Sequence, residues 1–179
     1  MENGGGRGGQ IAQGIISATG DIIAVVHSDT RITTKIFSEM KAVLKVNTDI
    51  SGGAAGSLYE IPDSKMKLIE FLNGLRAVFF GISFGDQIQF FRRHGVVNKN
   101  LFPNIPLMED IEFSLRLPSY GRRIFLFSDA KVSSRHWQKG WSNNFYTVIR
   151  LFFSYLLLRP FKRPNVTAMY NYYYNRDGR

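Results

Sequence analysis

The chain has 179 residues, 44% hydrophobic and 21% charged, so it is long enough to bury its own core and its composition excludes wholesale disorder or a collagen-like repeat. Cysteine is absent, which excludes a disulfide framework, a thiolate zinc site and a cysteine nucleophile. Lys and Arg outnumber Asp and Glu 23 to 14, a net charge of +9, which points to an anionic partner such as nucleotide phosphate, nucleic acid or a lipid surface.

Met1 to Gly9 reads as a flexible Gly-rich leader with no apolar core, not as a signal peptide. A short helix is expected over Gln10–Ala18, with Ile11 and Ile15 on one face and Gly20 as its stop. Asp21–Val26 is a continuous apolar run rich in β-branched residues, the pattern of a strand buried on both faces in a parallel sheet. A second helix fits Thr34–Val46, with Ile36, Phe37, Met40, Val43 and Leu44 at helical spacing. Ile50–Tyr59 carries Gly52, Gly53 and Gly56 and reads as a strand with a bulge or a close backbone approach.

Pro62 suits the first turn of a helix that runs to about Phe79, with Leu68, Ile69, Leu72, Leu75 and Phe79 inward. A loop over Gly81–Gln87 leads into a strand over Ile88–Arg92. Met108–Leu117 is a helix ended by Pro118 and Gly121, and strands follow over Ile124–Phe127 and Lys131–Arg135. Trp141–Leu158 is a helix, and Pro160–Arg179 is a basic, Tyr-rich tail. The apolar stretch Phe145–Leu158 contains Arg150 and falls short of the roughly 20 residues that span a bilayer. Alternating helix and strand gives an α/β class with a mixed sheet.

Asp29 stands just past the end of the Ile22 strand, where open α/β sheets bind ligands. Its carboxylate is either a divalent-metal ligand or the cap of a turn with Thr30, and His27 is either a second ligand or structural. Glu109, Asp110 and Glu112 crowd a helix start, where acids complement the helix dipole or supply a general base. Asp86 and Gln87 sit in a turn before a strand, and Arg135 and Trp137 follow another. No phosphate-loop motif is present.

The segments Gly6-Arg7-Gly8-Gly9-Gln10, Ala18-Thr19-Gly20-Asp21, His27-Ser28-Asp29-Thr30, Gly85-Asp86-Gln87, Met108-Glu109-Asp110-Ile111-Glu112 and Ser134-Arg135-His136-Trp137, in that order, resemble family 2 glycosyltransferases of the GT-A fold. The resemblance covers about Gly6 to Leu158 and is nearest the branch with a His-Ala-Asp-Thr metal motif, the arsenosugar-biosynthesis or selenium-associated type. It implies a GT-A-like (Rossmann-like) mixed sheet flanked by helices, a nucleotide-sugar donor, an acceptor hydroxyl and transfer with inversion. Asp29, with His27, would hold Mg²⁺ or Mn²⁺ at the donor diphosphate, and Asp110 would be the base. Asp86, Gln87 and Glu109 would line the donor or acceptor pocket, Arg7 and Gln10 would lie near the nucleotide, and Arg135 with Trp137 would close over the diphosphate or the acceptor.

Here the usual Asp-x-Asp is His27-Ser28-Asp29, and Ala12 stands where the family carries Asn. Family members also open with strands that hold the nucleobase, and nothing before Gly6 supplies them. The expectation is a partial catalytic domain over 1–140, lacking the first strands, and a C-terminal amphipathic helix with a basic Tyr-rich tail over 141–179. Transfer by the chain as given hangs on those strands, and the open edge they leave on the Ile22 strand invites self-association. The alternative is a non-catalytic membrane-surface or scaffold remnant of the same fold, supported by the basic-flanked segment 141–163. The expected setting is cytoplasmic, with peripheral membrane contact through that segment. No recognised module supports nucleic-acid binding.

Overall fold

The computed structural model describes residues 6–61, 63–138, 140–162 and 164–176, without the side chains of 129, 136, 138, 175 and 176. Pro62, most of the leader and the side chain of His136 lie outside the described residues. The chain order is α1 (Gly6–Ser17), β1 (Ile22–Val25), β2 (Thr30–Arg31), α2 (Thr34–Val46), β3 (Ile50–Tyr59), α3 (Ser64–Leu75), a π-turn (Arg76–Phe80) and β4 (Ile88–Arg92). It continues with α4 (Arg93–Asn98), α5 (Glu109–Arg116), a 3-10 turn (Leu117–Ser119), β5 (Arg122–Val132), α6 (Arg135–Gln138), α7 (Trp141–Leu158), a second 3-10 turn (Arg159–Phe161) and α8 (Val166–Arg176).

The five strands form one mixed sheet in the order β1-β4-β3-β5-β2. Only β3 and β5 pair in parallel; the other three pairs are antiparallel. The strands at the two ends of that order, β1 and β2, are joined by only Val26 to Asp29. An extended residue spans at most about 3.6 Å, so the sheet must curl to bring its edges together.

One face of the sheet is covered by α2, whose Ile36, Met40 and Leu44 pack on Ile50, Ala55, Ile88 and Phe90. The other is covered by α1, α4 and α5, where Ile15, Val96 and Phe113 meet Ile23 and Phe91. Phe113 meets Phe91 edge to face at 4.8 Å, a favoured aromatic geometry. The helices α5, α7 and α8 share a third cluster around Ile111, Leu151, Tyr155 and Met169.

Four expectations are corrected. β1 is not a doubly buried parallel strand: it pairs only with β4, antiparallel, at the sheet edge, with Ile23 buried and Val25 half-buried. Its other edge has no partner among the described residues. The two expected C-terminal strands are one, β5, because a register shift opposite Ala55 and Ser57 absorbs the polar Ser128-Asp129 step without a turn. On α3 the inward face is Met66, Ile69 and Asn73, while Leu68, Leu72, Leu75 and Phe79 are exposed.

The Gly-rich start is helical from Gly6, not a leader to Gly9. A Cβ on Gly8 would stand 2.1 Å from the Ile105 carbonyl and 3.0 Å from Glu109 Cβ. Only glycine lets α1 lie this close to the start of α5, and that approach brings Arg7 to its carboxylates.

Candidate functional site

The site forms where α1, the turn after β1, the loop before β4 and the start of α5 converge. Met108 launches α5 from the left-handed region, at φ 65, a conformation that costs a non-glycine residue about 1 kcal/mol or more. The turn that follows directs Glu109 and Asp110 toward Arg7. Arg7 Nε donates to Glu109 Oε1 at 2.5 Å, and Arg7 Nη2 donates to Asp110 Oδ2 at 3.3 Å. Asp110 Oδ1 accepts from the Ile111 amide at 2.8 Å.

Burial opposes the charge on Arg7, but Asp110 and Glu109 outweigh it and hold the guanidinium above its ordinary value. Glu109 is pushed up to about 7, first by burial and then by Asp110, against the pull of Arg7. Glu109 therefore titrates near neutrality, the range suited to a proton acceptor. Its Oε2 is buried without a hydrogen-bond partner.

A second carboxylate lies in the loop before β4. Asp86 Oδ2 accepts from Tyr59 Oη and from Asn73 Nδ2, both at 2.9 Å, while its Oδ1 is buried and unpartnered. Trp137 Nε1 donates to Tyr59 Oη at 2.9 Å, so Trp137 belongs to this network. Burial, then Asp86, pushes the Tyr59 phenol above its ordinary value. Arg76 packs beneath: Nη1 donates to Asn73 Oδ1 at 2.8 Å, Nη2 to Gln87 Oε1 at 3.0 Å and Nε to the Ile82 carbonyl at 3.1 Å, with the guanidinium 3.3 Å from the Phe84 ring centroid. Burial lowers it to about 10, against the attraction of Asp86 and Asp110.

The two halves meet at Gly85. A Cβ there would stand 2.9 Å from His27 Nε2 and 3.0 Å from Arg7 Nη1, so the bare backbone passes against both. His27 is lowered by burial and then by Arg7, with smaller opposing pulls from Asp110, Asp29 and Asp86. Burial and Arg7 thus both favour its neutral form. Asp29 is exposed, and its Oδ1 lies 3.5 Å from the Thr30 hydroxyl.

Of the residues expected at a site, Arg7, His27, Asp86, Glu109 and Asp110 come together, with Trp137 joined through Tyr59. Gln87 is buried and spends its amide inside the loop, accepting from Arg76 and the Phe84 amide. Gln10 is exposed on α1, and Arg135 is exposed at the start of α6. Glu112 points elsewhere, to Arg116, Tyr155 and Arg159. Tyr59, Asn73 and Arg76 were missed. Asn73 could have been found, because it continues the inward spacing of Met66 and Ile69 where a polar side chain needs a buried partner.

Among the described residues no group of three or more His, Asp or Glu gathers as a ready metal cage. Mg²⁺ does not require one, since it commonly binds one or two carboxylates and completes its shell with substrate phosphates and water. The exposed carboxylate of Asp29 fits that role. The His27 ring is a weaker candidate, because its Nε2 faces the same point as the Arg7 cation. No helix among the described residues is long and apolar enough to cross a membrane. A comparison with protein-family models finds no family that matches the chain, and a comparison with curated proteins finds no match.

Proposed function

We propose that this chain carries the acid–base half of an inverting glycosyltransferase, acting on a nucleoside-diphosphate sugar and an acceptor hydroxyl. One observation carries the reading: Asp86 Oδ1 and Glu109 Oε2 are buried carboxylate oxygens without donors, in the two side-chain networks that meet at the Gly85 backbone. A buried acceptor left unmade is expensive, and the hydroxyls of a sugar and its acceptor are the donors that would satisfy it. Asp86, held by Tyr59 and Asn73, would orient a hydroxyl. Asp110, next to Glu109 and fixed by the Ile111 amide, would take the acceptor proton as the hydroxyl attacks. Arg7 and the under-neutralised Arg76 supply positive potential for a diphosphate. Mg²⁺ or Mn²⁺ at Asp29 would offset charge on the leaving group.

The test is release of nucleoside diphosphate from a panel of nucleotide sugars with Mn²⁺, with and without acceptor mixtures. Acceptor-dependent release that Asp110→Asn abolishes supports the reading. Absence of both release and Mn²⁺-dependent nucleotide binding overturns it.

A second reading, peripheral attachment of the fold to a membrane without catalysis, is favoured by α7. Tyr146, Ile149, Phe153, Leu157 and Phe161 are exposed along one side with Arg150 and Lys162, and residues 141–162 contain no acid. Co-sedimentation with anionic vesicles, without nucleotide binding, would favour it.

A further inference from the structure

We infer that the cleft between the π-turn, β5 and the end of α5 binds a monomeric single-chain anionic amphiphile, its chain against Ala54 and Phe113 and its acidic head on Arg123. The cleft encloses about 350 Å³, within the range of about 300–1,000 Å³ for small-molecule sites. Its wall is largely apolar: Ala54, Ala77, Phe113, Leu117 and Ile124.

The polar groups at its inner end already satisfy one another. Gln89 Nε2 donates to Ser83 Oγ at 2.8 Å and to the Asp110 carbonyl at 2.9 Å, Ser114 Oγ donates to that carbonyl at 2.8 Å, and the two serine hydroxyls lie 3.0 Å apart. They offer little to water, so an apolar occupant loses nothing there.

Arg123 is the exception. Its Nη1 donates to the Ser114 carbonyl at 2.9 Å and its Nη2 to the Phe80 carbonyl at 2.8 Å. Among the described residues no carboxylate pairs with it. Burial alone shifts the guanidinium, downward, as expected of a cation whose cost no anion offsets. Phe127 lines the cleft and is 81% exposed, and Phe79 and Phe80 on the adjoining π-turn are 75% and 67% exposed. Exposed apolar surface of this extent beside a cleft marks a binding surface, and the unpaired cation sets the charge of what binds. This inference does not depend on glycosyl transfer.

The test is calorimetric titration, below the critical micelle concentration, with decyl phosphate, 1-decanol and inorganic phosphate. Decyl phosphate should bind with one-to-one stoichiometry, 1-decanol at least about tenfold more weakly, since a desolvated charge-assisted hydrogen bond is the difference, and inorganic phosphate without measurable heat. Arg123→Gln should erase the preference for the phosphate head. Because that change also removes two carbonyl contacts, Val78→Trp provides the second variant: Val78 is half exposed on the lip and lines the cleft, and the larger ring should block the chain in a protein that melts normally. Equal affinity for decyl phosphate and 1-decanol overturns the assignment, as does undiminished decyl phosphate binding by Val78→Trp.

Discussion

Three carboxylates in one turn of α5 meet opposite fates. Glu112 is over-supplied: Tyr155 Oη and Arg159 Nε donate to its Oε2 at 2.7 Å, and Arg116 Nε donates to its Oε1 at 2.7 Å. Its pKa is lowered, because those hydrogen bonds outweigh burial. Glu109 and Asp110, on the other side, share the single guanidinium of Arg7, and Glu109 keeps a bare buried oxygen. Helix-dipole complementarity applies to all three, so it does not explain the difference. The Glu112 side ties α7 to α5. On the Glu109 and Asp110 side one buried oxygen, Glu109 Oε2, is left without a donor, and the proposed function rests on that side.

The largest effect expected is on turnover. Asp110→Asn preserves shape and the Ile111 contact but cannot accept a proton, so transfer should fall by about two to four orders of magnitude. Transfer assays with Glu109→Gln beside it separate the two acids. If Glu109 shares the proton, the rate of the wild type rises with pH through about 7, and a profile flat from pH 6 to 8 assigns the base to another group.

The next effect is on stability against pH. Glu109 stands at about 7 folded against an ordinary 4.5, so between those values the folded state holds more protons than the unfolded state. Its contribution is full below pH 4.5 and is lost as pH rises through about 7, a change of about 3 kcal/mol. Denaturant titrations at pH 5 and pH 8 should show that decline in the wild type and lose it in Glu109→Gln; parallel curves would contradict the burial argument.

Glu112→Ala should cost about 2 kcal/mol. Breaking a fully buried ion pair costs about 3–5 kcal/mol, and the discount reflects partners that are more than a third exposed. Near-ultraviolet circular dichroism should show loosened tyrosine packing. Two smaller effects complete the series. Asp29→Asn should weaken nucleotide binding in Mn²⁺ and change nothing in a chelator. Val25→Lys, on the edge strand, should shift size exclusion toward monomer; an unchanged elution volume would show that the β1 edge does not mediate association.

Much of the fold was legible because punctuation is local. α2, β3, β4 and α7 run over the expected residues, bounded by turns and apolar periodicity that read without tertiary knowledge. What failed was the question of which face points inward. α3 carries apolar residues on both sides, and periodicity alone cannot rank them. The sheet takes Met66, Ile69 and Asn73, because Asp86 needs the Asn73 amide. The site was half legible: acids, an arginine and a histidine were found by type and position. Tyr59 and Arg76 were not, since neither stands in a motif and both act through Asp86 or its loop.

The division of labour within α5 is tested most directly by measuring transfer rate and melting temperature together for Asp110→Asn and Glu112→Gln. A crossed pattern is expected: Asp110→Asn loses turnover by at least about a hundredfold and melts near the wild type, while Glu112→Gln melts several degrees lower and keeps its turnover per folded molecule. Near-normal transfer by Asp110→Asn, or equal loss of rate in both variants, would contradict it.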